Sequence, residues 1–215
     1  MNKQYILFDL DGTITNSAEG IMNSVKYALQ KSEWKEPSLR VLHRFIGPPL
    51  VDAFMDYCDM NKAEAEKAVA YYRERYKDIG LFESNVYDGI EEVFKALKSA
   101  NKTIILATAK PLVFAKRIIE HFGLDKYFDD MVGAEIGGTL IHKHQIIDEV
   151  IKRFNITDRT AAVMIGDREQ DINGAKMFSL DSIGVKYGFA EPNELEDAGA
   201  TYIAETPQDI LKILL

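Results

Sequence analysis

The sequence predicts an α/β protein whose core is a doubly wound, Rossmann-like parallel sheet with an α-helical cap domain inserted after the first strand. From Lys102 onward, short β-rich apolar runs alternate with helical patterns, which is typical of a parallel sheet covered by helices. One more apolar run, Tyr5–Phe8, lies near the start of the chain. Residues 17–83 follow it with helical spacing and no convincing strand, so we place the inserted domain there.

Each element of the core is predicted from its own pattern. After Tyr5–Phe8, strands are expected at Thr103–Ala107, Met131–Val132, Ala161–Ile165, Ser182–Val185 and Thr201–Ile203. Between them, helices are expected at Val113–His121, Lys143–Arg153, Glu169–Met177 and Glu194–Ala198, and Pro111 is expected to begin the first of these. Asp88 is expected to cap one further helix, Gly89–Lys98, which leads into the Thr103 strand.

The inserted segment is predicted to begin with a helix capped by Ser17, because apolar residues follow at helical spacing. These residues are Ile21, Val25, Ala28 and Leu29. Asn61 is expected to cap a second helix with one apolar face, formed by Ala65, Val69, Tyr72, Tyr76 and Ile79. The predicted boundaries are residues 1–16 and 84–215 for the core domain and residues 17–83 for the cap.

The composition limits the classes of partner. The 215 residues carry a formal net charge of −8, so no excess of Lys and Arg is available to neutralise a nucleic-acid polymer. No apolar run has the length of a membrane helix, and no signal peptide is recognisable. The single cysteine, Cys58, excludes an intramolecular disulfide and a thiolate metal cluster. We therefore expect a cytoplasmic protein that binds neither nucleic acid nor membrane.

Acidic side chains follow two of the predicted strands. Asp9 and Asp11 come directly after Tyr5–Phe8, and their spacing sends both side chains to one side of an extended chain. Asp167 and Asp171 follow the Ala161–Ile165 strand. Taken singly, the first pair also fits an ordinary turn, and the second fits a helix N-terminus, which favours acidic residues. In a parallel sheet, however, ligands bind outside the carboxyl ends of the strands.

Electrostatics favours a cation at such a cluster. Two unit charges about 4 Å apart repel by roughly 4 kcal/mol at an effective dielectric near 20. Converging carboxylates would therefore hold protons or bind a cation, and oxygen ligands without thiolates suit Mg²⁺. The candidate metal residues are Asp9, Asp11, Asp167 and Asp171.

Two further segments fit phosphate binding. Thr108 and Ala109 lie where a β-rich run gives way to a helix, and a hydroxyl with free amides at a helix start suits a phosphate. Thr108 read alone equally fits a simple helix cap. Lys143 begins the next helical run. A single lysine is usually a solvated surface charge, so Lys143 is a candidate only because it occurs together with the other residues named here.

Together these segments resemble the haloacid dehalogenase-like hydrolase superfamily, in its phosphatase branch with an α-helical cap. Asp9-Leu-Asp-Gly-Thr13 is similar to the first motif of that family, Thr108 to the second, Lys143 to the third, and Gly166-Asp-Arg-Glu-Gln-Asp171 to the fourth. The Phe45–Leu50 segment and the Ser182–Phe189 segment resemble phosphoglycolate phosphatase-like and 5′-nucleotidase-like members. The resemblance covers nearly the whole chain and implies the strand order 3-2-1-4-5.

The resemblance implies a Mg²⁺-dependent phosphatase that acts on a small phosphorylated metabolite of the phosphoglycolate or nucleoside monophosphate type, as a monomer or weak dimer. By the same resemblance, Asp9 would be the nucleophile and Asp11 the general acid and base. Mg²⁺ would be held by the Asp9 side chain, the Asp11 carbonyl and Asp167, with Asp171 in the outer shell. Thr108, Ala109 and Lys143 would hold the phosphoryl oxygens.

Within the cap, the resemblance implies that the Phe45–Leu50 segment, with Ile46, Gly47 and Pro48, selects the leaving group. The alternative is a turn between two helices of the cap. Asn16, where many members have Asp, and Ala109, where Asn or Ser is frequent, depart from the family pattern. A phosphosugar mutase on the same core and a non-catalytic phospho-acceptor or binding module are the alternative functions.

Overall fold

The computed structural model describes residues 3–215, and residues 1 and 2 of the predicted core domain lie outside them. The chain divides into two compact units: a sheet unit of residues 1–15 and 86–215, and a helical unit of residues 16–85. The chain passes between the units twice, along the short strands β2 (Thr15–Asn16) and β3 (Asn85–Val86), which pair with each other.

Six strands of the described chain form the parallel sheet. They are β1 (Tyr5–Phe8), β4 (Thr103–Pro111), β5 (Asp130–Ala134), β6 (Ala162–Gly166), β7 (Asp181–Val185) and β8 (Tyr202–Ala204). Their order is β5-β4-β1-β6-β7-β8, and every pairing between them is parallel. The predicted α/β class and strand order are confirmed, with β8 added at one edge, and β1 lies between β4 and β6.

Helices cover both faces of this sheet, as the doubly wound prediction requires. They are α5 (Ile90–Ser99), α6 (Leu112–His121), α7 (Lys143–Arg153), α8 (Glu169–Met177), α9 (Glu194–Asp197) and α10 (Pro207–Leu214). Leu7 belongs to an apolar cluster with residues of α7 and α8, whereas the ring of Phe8 contacts Phe94 of α5, with centroids 5.1 Å apart. Successive residues of β1 therefore pack on opposite faces.

The helical unit contains four α-helices, α1 (Ala18–Lys31), α2 (Leu39–His43), α3 (Leu50–Cys58) and α4 (Lys62–Tyr76), and a short 3₁₀-helix, Gly80–Phe82. The predicted apolar residues of α1 are all buried. On α4 the prediction holds through Tyr76, but Ile79 lies beyond the end of the helix and is exposed. Among the described residues, no helix combines the length and the apolar character that a membrane crossing requires.

Three predicted helix starts differ from the structure. Gly89, at φ 92°, is the cap residue of α5, so Asp88 does not cap it. Pro111 ends β4 and precedes α6. Ser17 is at the cap position of α1 but accepts no cap hydrogen bond; instead, Asn16 Oδ1 accepts a bond from Ala18 N at 3.3 Å. Asn16 therefore satisfies the first backbone donor of α1.

The prediction for Asn61 is confirmed by a complete capping box. Asn61 Oδ1 accepts a hydrogen bond from Glu64 N at 3.1 Å, and Glu64 Oε2 accepts one from Asn61 N at 2.8 Å. Two backbone donors at the start of α4 are therefore satisfied reciprocally.

We expect Asn61→Ala to lower the free energy of unfolding by about 0.5–2 kcal/mol, the usual loss for an N-cap side chain. Ser17→Ala is the matched control, because Ser17 Oγ is buried without a hydrogen bond to any described residue; removing it breaks no hydrogen bond, so this variant should lose no stability. Urea denaturation of both variants measures the difference. Equal losses would show that the capping box contributes nothing specific.

Candidate active site

The carboxyl ends of β1, β4 and β6 lie side by side. Phe8, the last residue of β1, is in register with Leu106 of β4 and Ile165 of β6. Asp9 N continues the pairing by donating to Ile165 O at 2.9 Å. The segments that follow these three strands therefore meet at one edge of the sheet, as the parallel arrangement predicts.

Three of the predicted metal residues form one buried cluster at this edge. Asp9, Asp167 and Asp171 each offer a carboxylate oxygen, and these oxygens lie within 4.8 Å of one another. All three side chains are buried. Carboxylates are seldom buried without a partner, so the cluster requires compensation from cations, protons or hydrogen-bond donors.

Lys143 supplies part of this compensation from the first turn of α7. Its Nζ lies 2.7 Å from Asp9 Oδ1 and 2.7 Å from Asp171 Oδ1, and it donates to Ala107 O at 2.9 Å. Burial lowers the pKa of this ammonium, but the charges of Asp171 and Asp9 outweigh that effect and raise the pKa to about 12. Lys143 is therefore charged and buried, unlike an ordinary surface lysine.

Asp167 is held by donors on both oxygens. Thr13 Oγ1 donates to Asp167 Oδ1 at 3.3 Å, and Phe189 N donates to Oδ2 at 2.8 Å. Burial, followed by the charges of Asp171 and Asp9, raises its pKa well above the usual value. Burial likewise raises the pKa of Asp171 to about 6, although Lys143 opposes the shift. Both carboxyls thus resist ionisation when no further cation is bound.

Two glycines leave room for these carboxylates. Gly12 has φ 80°, which favours glycine, and a Cβ at this position would lie 2.0 Å from Asp167 Oδ2. A Cβ on Gly166 would lie 2.1 Å from the carboxyl carbon of Asp171. The glycines of the first and fourth motifs therefore serve close approach of the backbone to the acidic side chains.

Asp11 is paired with a different lysine. Lys110 Nζ lies 2.6 Å from Asp11 Oδ2 and both side chains are buried. Asp11 Oδ1 is also buried, and it has no hydrogen bond to any of the residues described. The two aspartates of the first motif thus have separate cationic partners.

Thr108 and Ala109 lie within β4 and not at a helix start. Thr108 is buried, Ala109 is half-buried, and Thr108 Oγ1 accepts a hydrogen bond from Lys110 N at 3.2 Å. Because α6 begins only at Leu112, Thr108 does not cap it. Lys143 approaches the same strand through its bond to Ala107 O, so Thr108 and Lys143 lie at the same strand end.

The cluster fits a divalent cation on the chemistry of its donors. Its oxygen ligands suit Mg²⁺, and the single charge of Lys143 cannot balance three ionised carboxylates. Asp9 and Asp167 would hold the ion. Asp171 is engaged by Lys143 on Oδ1 and by Arg168 N on Oδ2, which suits the outer position predicted for it. That the backbone carbonyl of Asp11 also binds the ion stays a prediction.

The residues predicted to select the leaving group lie in the helical unit, between α2 and α3. Ile46 is fully buried, Gly47 has φ 107°, and Pro48 is half-buried. Their role in substrate selection stays a prediction.

Sequence reasoning missed three participants in the site: Lys110, Thr13 and the backbone of Phe189. Lys110 is two residues from Thr108 on a strand, so the alternation of side chains places both on one side; that spacing was the available signal. Nothing local indicates that Phe189 N donates to Asp167, because the two are brought together by folding alone.

The model of the family described as haloacid dehalogenase-like hydrolase matches residues 6–185. The chain is also similar to the crystal structure of a predicted phosphatase from Clostridium acetobutylicum, with a TM-score of 0.94 and 45% identity, covering 99% of this chain and 98% of the other.

Among curated relatives, the chain is 43% identical over 190 residues to a 5′-nucleotidase of Pseudomonas aeruginosa, covering 88% of this chain and 86% of that protein. It is 30% identical over 202 residues to the tyrosine-protein kinase PtkA of Mycobacterium tuberculosis, covering 93% of this chain and 68% of the relative.

We expect the metal-free protein to lose thermal stability as the pH rises. A carboxyl whose pKa is raised on folding stabilises the folded state fully when the pH is below its unfolded pKa. That stabilisation is lost as the pH rises through its folded pKa. For Asp171 the loss occurs between pH 3.8 and about pH 6. The pKa of Asp167 is also raised well above its usual value, so this carboxyl continues the loss of stability as the pH rises. Melting temperatures in EDTA across this range measure the effect, and a flat profile would contradict it.

Mg²⁺ should reverse this loss, and Asp167→Asn should abolish most of the reversal. At about pH 8, the metal-free variant should melt above the metal-free wild type, because one buried charge is gone. Asp148→Asn is the control, since Asp148 is a solvent-accessible carboxylate of α7 paired with Lys152. A Mg²⁺ shift that survives in Asp167→Asn at the wild-type size would remove Asp167 from the metal site.

Proposed function

The chain belongs to the haloacid dehalogenase-like hydrolase family, and on that premise we propose that it is a Mg²⁺-dependent phosphatase of small phosphomonoesters that acts through a phosphoaspartate on Asp9. The observation that carries the proposal is the position of Asp9: a buried carboxylate 2.7 Å from Lys143 Nζ, in one cluster with Asp167 and Asp171.

In the first step, a carboxylate oxygen of Asp9 attacks phosphorus. The bond from phosphorus to the ester oxygen breaks, and its electron pair goes to that oxygen. Asp11, protonated, gives its proton to this oxygen, so the leaving group departs as an alcohol. Splitting the reaction at a covalent intermediate replaces one difficult displacement by two easier ones.

In the second step, a water molecule attacks the phosphorus of the aspartyl-phosphate. Asp11, now a carboxylate, takes the proton of the water as general base. The bond from Asp9 to phosphorus breaks, and its electron pair returns to the Asp9 carboxylate. Inorganic phosphate leaves, and both aspartates are restored to their starting states.

Thr108 and Lys143 orient the phosphoryl oxygens in both steps. The buried ammonium of Lys143 places a fixed positive charge beside the nucleophile, where negative charge develops on the equatorial oxygens. Mg²⁺, held by Asp9 and Asp167, would supply further charge neutralisation when bound. The backbone of Ala109 completes the proposed phosphate site.

For the substrate, we propose a nucleoside monophosphate or phosphoglycolate-type phosphomonoester. The 5′-nucleotidase relative supports the first of these. The helical unit, including Ile46, Gly47 and Pro48, is the proposed source of the choice between them.

Transfer of the phosphoryl group to an acceptor hydroxyl is the second candidate, as in a mutase or in a kinase such as the relative PtkA. The two outcomes differ in stoichiometry: a hydrolase releases one phosphate for each leaving group, whereas a transferase with acceptor present releases less than one phosphate for each leaving group.

A panel of phosphomonoesters, assayed for release of phosphate and of the leaving group with Mg²⁺ and with EDTA, tests the proposal. No phosphate release on any ester with Mg²⁺ would refute it.

We expect Asp9→Asn and Asp11→Asn to differ in their dependence on the leaving group. Asp9→Asn should abolish turnover of every ester, because the nucleophile is lost. Asp11→Asn should slow hydrolysis of an alkyl phosphate by about 10²–10⁴-fold, the usual contribution of a general acid. Its first step with p-nitrophenyl phosphate should suffer less, because that leaving group needs no proton.

Burst kinetics separate the first step from the second in these measurements. If Asp11→Asn slows the first step of both esters equally, Asp11 is not the acid.

A further inference from the structure

The first motif contains a second buried ion pair that the mechanism above leaves unused. Lys110 Nζ lies 2.6 Å from Asp11 Oδ2, and the two side chains are only 5% and 11% exposed. Burying a lysine is costly unless it is paired. Lys143 already provides the ammonium beside Asp9, so Lys110 needs an explanation of its own.

The backbone of Lys110 is fixed from several sides. Its N–H donates to Thr108 Oγ1 at 3.2 Å, and the register of β4 against β5 is irregular between Thr108 and Pro111. Gly133 of β5 lies beside it, where a Cβ would be 2.9 Å from Lys110 O. Such irregularities re-aim side chains at the ends of strands, and here the side chain is directed to Asp11.

The two carboxylate oxygens of Asp11 have different surroundings. Oδ2 is held by Lys110, whereas the buried Oδ1 has no hydrogen bond to any part of the described chain. A general acid or base works only if the oxygen that exchanges the proton is directed at the reacting atom. Fixing one oxygen fixes the plane of the carboxyl group and leaves the other oxygen free to exchange.

We propose that Lys110 is a positioning residue for Asp11: it binds Oδ2 so that Oδ1 gives the proton to the leaving oxygen and later takes one from water. The proposal rests on the proposed function, since it assumes that Asp11 is the acid. Lys110 itself neither gains nor loses a proton in either step. Its effect should therefore be confined to the reactions in which Asp11 matters.

The test compares Lys110→Met with Lys3→Met. Lys3 is a matched control because it is also a buried lysine of the sheet unit, with its Nζ 2.5 Å from Asp181 Oδ2, but it precedes β1 and lies outside the site. For Lys110→Met we expect kcat on an alkyl phosphate to fall about tenfold or more, and kcat on p-nitrophenyl phosphate by less than about threefold. KM should stay nearly constant, and Lys3→Met should show no such selectivity.

A double-mutant cycle makes the test specific to Asp11. In the Asp11→Asn background, Lys110→Met should change alkyl phosphate turnover by less than about twofold, because the two residues act as a unit. Lys110→Arg, which keeps a cation, should recover part of the loss. Should Lys110→Met fail to fold, Lys110→Gln takes its place in every comparison.

Equal losses on both esters, a rise in KM alone, or an additive effect with Asp11→Asn would each overturn the proposal, since Lys110 would then act on the substrate or on the fold. If the wild type hydrolyses no ester, or if Asp11→Asn shows no leaving-group selectivity, the proposed function fails first and this inference fails with it. If Asp11→Asn behaves as expected and Lys110→Met does not, only the role of Lys110 is refuted.

Discussion

The burial of like charges at the carboxyl edge of the sheet is the constraint on which the other features of the site depend. Asp9, Asp167 and Asp171 bring oxygens within 4.8 Å of one another in a region where water cannot screen them. Each buried ion costs several kcal/mol in lost hydration, and mutual repulsion increases that cost. Lys143 contacts two of the three, which leaves the cluster to be completed by protons or by a divalent cation.

The local backbone follows from this constraint. Because β1 lies between β4 and β6, residues far apart in sequence end at one edge. Gly12 and Gly166 let the chain approach the carboxylates, and the amides of Phe189 and Arg168 donate to Asp167 and Asp171. Such fixed donors hold the two carboxylates in place, as hydrogen bonds to metal-binding side chains do. The same edge separates the two aspartates of the first motif, with Lys143 beside Asp9 and Lys110 beside Asp11.

The sequence could predict those features that local patterns encode. The apolar run before Asp9 and the alternation after Lys102 were enough to place the strands, whereas their order was implied by the resemblance to the family. The spacing of Asn61 and Glu64 encodes a capping box that the structure contains. Asp88 was misassigned because the positive φ of Gly89 decides the start of α5, and a backbone angle is not visible in a residue pattern. The spacing of Lys110 from Thr108 could have marked Lys110 as a residue of the site, but its pairing with Asp11 joins residues 99 positions apart, so the contact itself is visible only in the folded structure.

The central claim is that the phosphoryl group passes through Asp9. The most direct measurement is mass spectrometry of peptides from the Asp11→Asn variant, quenched in acid during turnover of p-nitrophenyl phosphate. Loss of the general base slows the second step, so the intermediate should accumulate. The account predicts one phosphoryl group on the peptide that contains Asp9, absent when Asp9 is also replaced by Asn. A phosphoryl group on another residue, or turnover with no phosphorylated peptide in either variant, would contradict it.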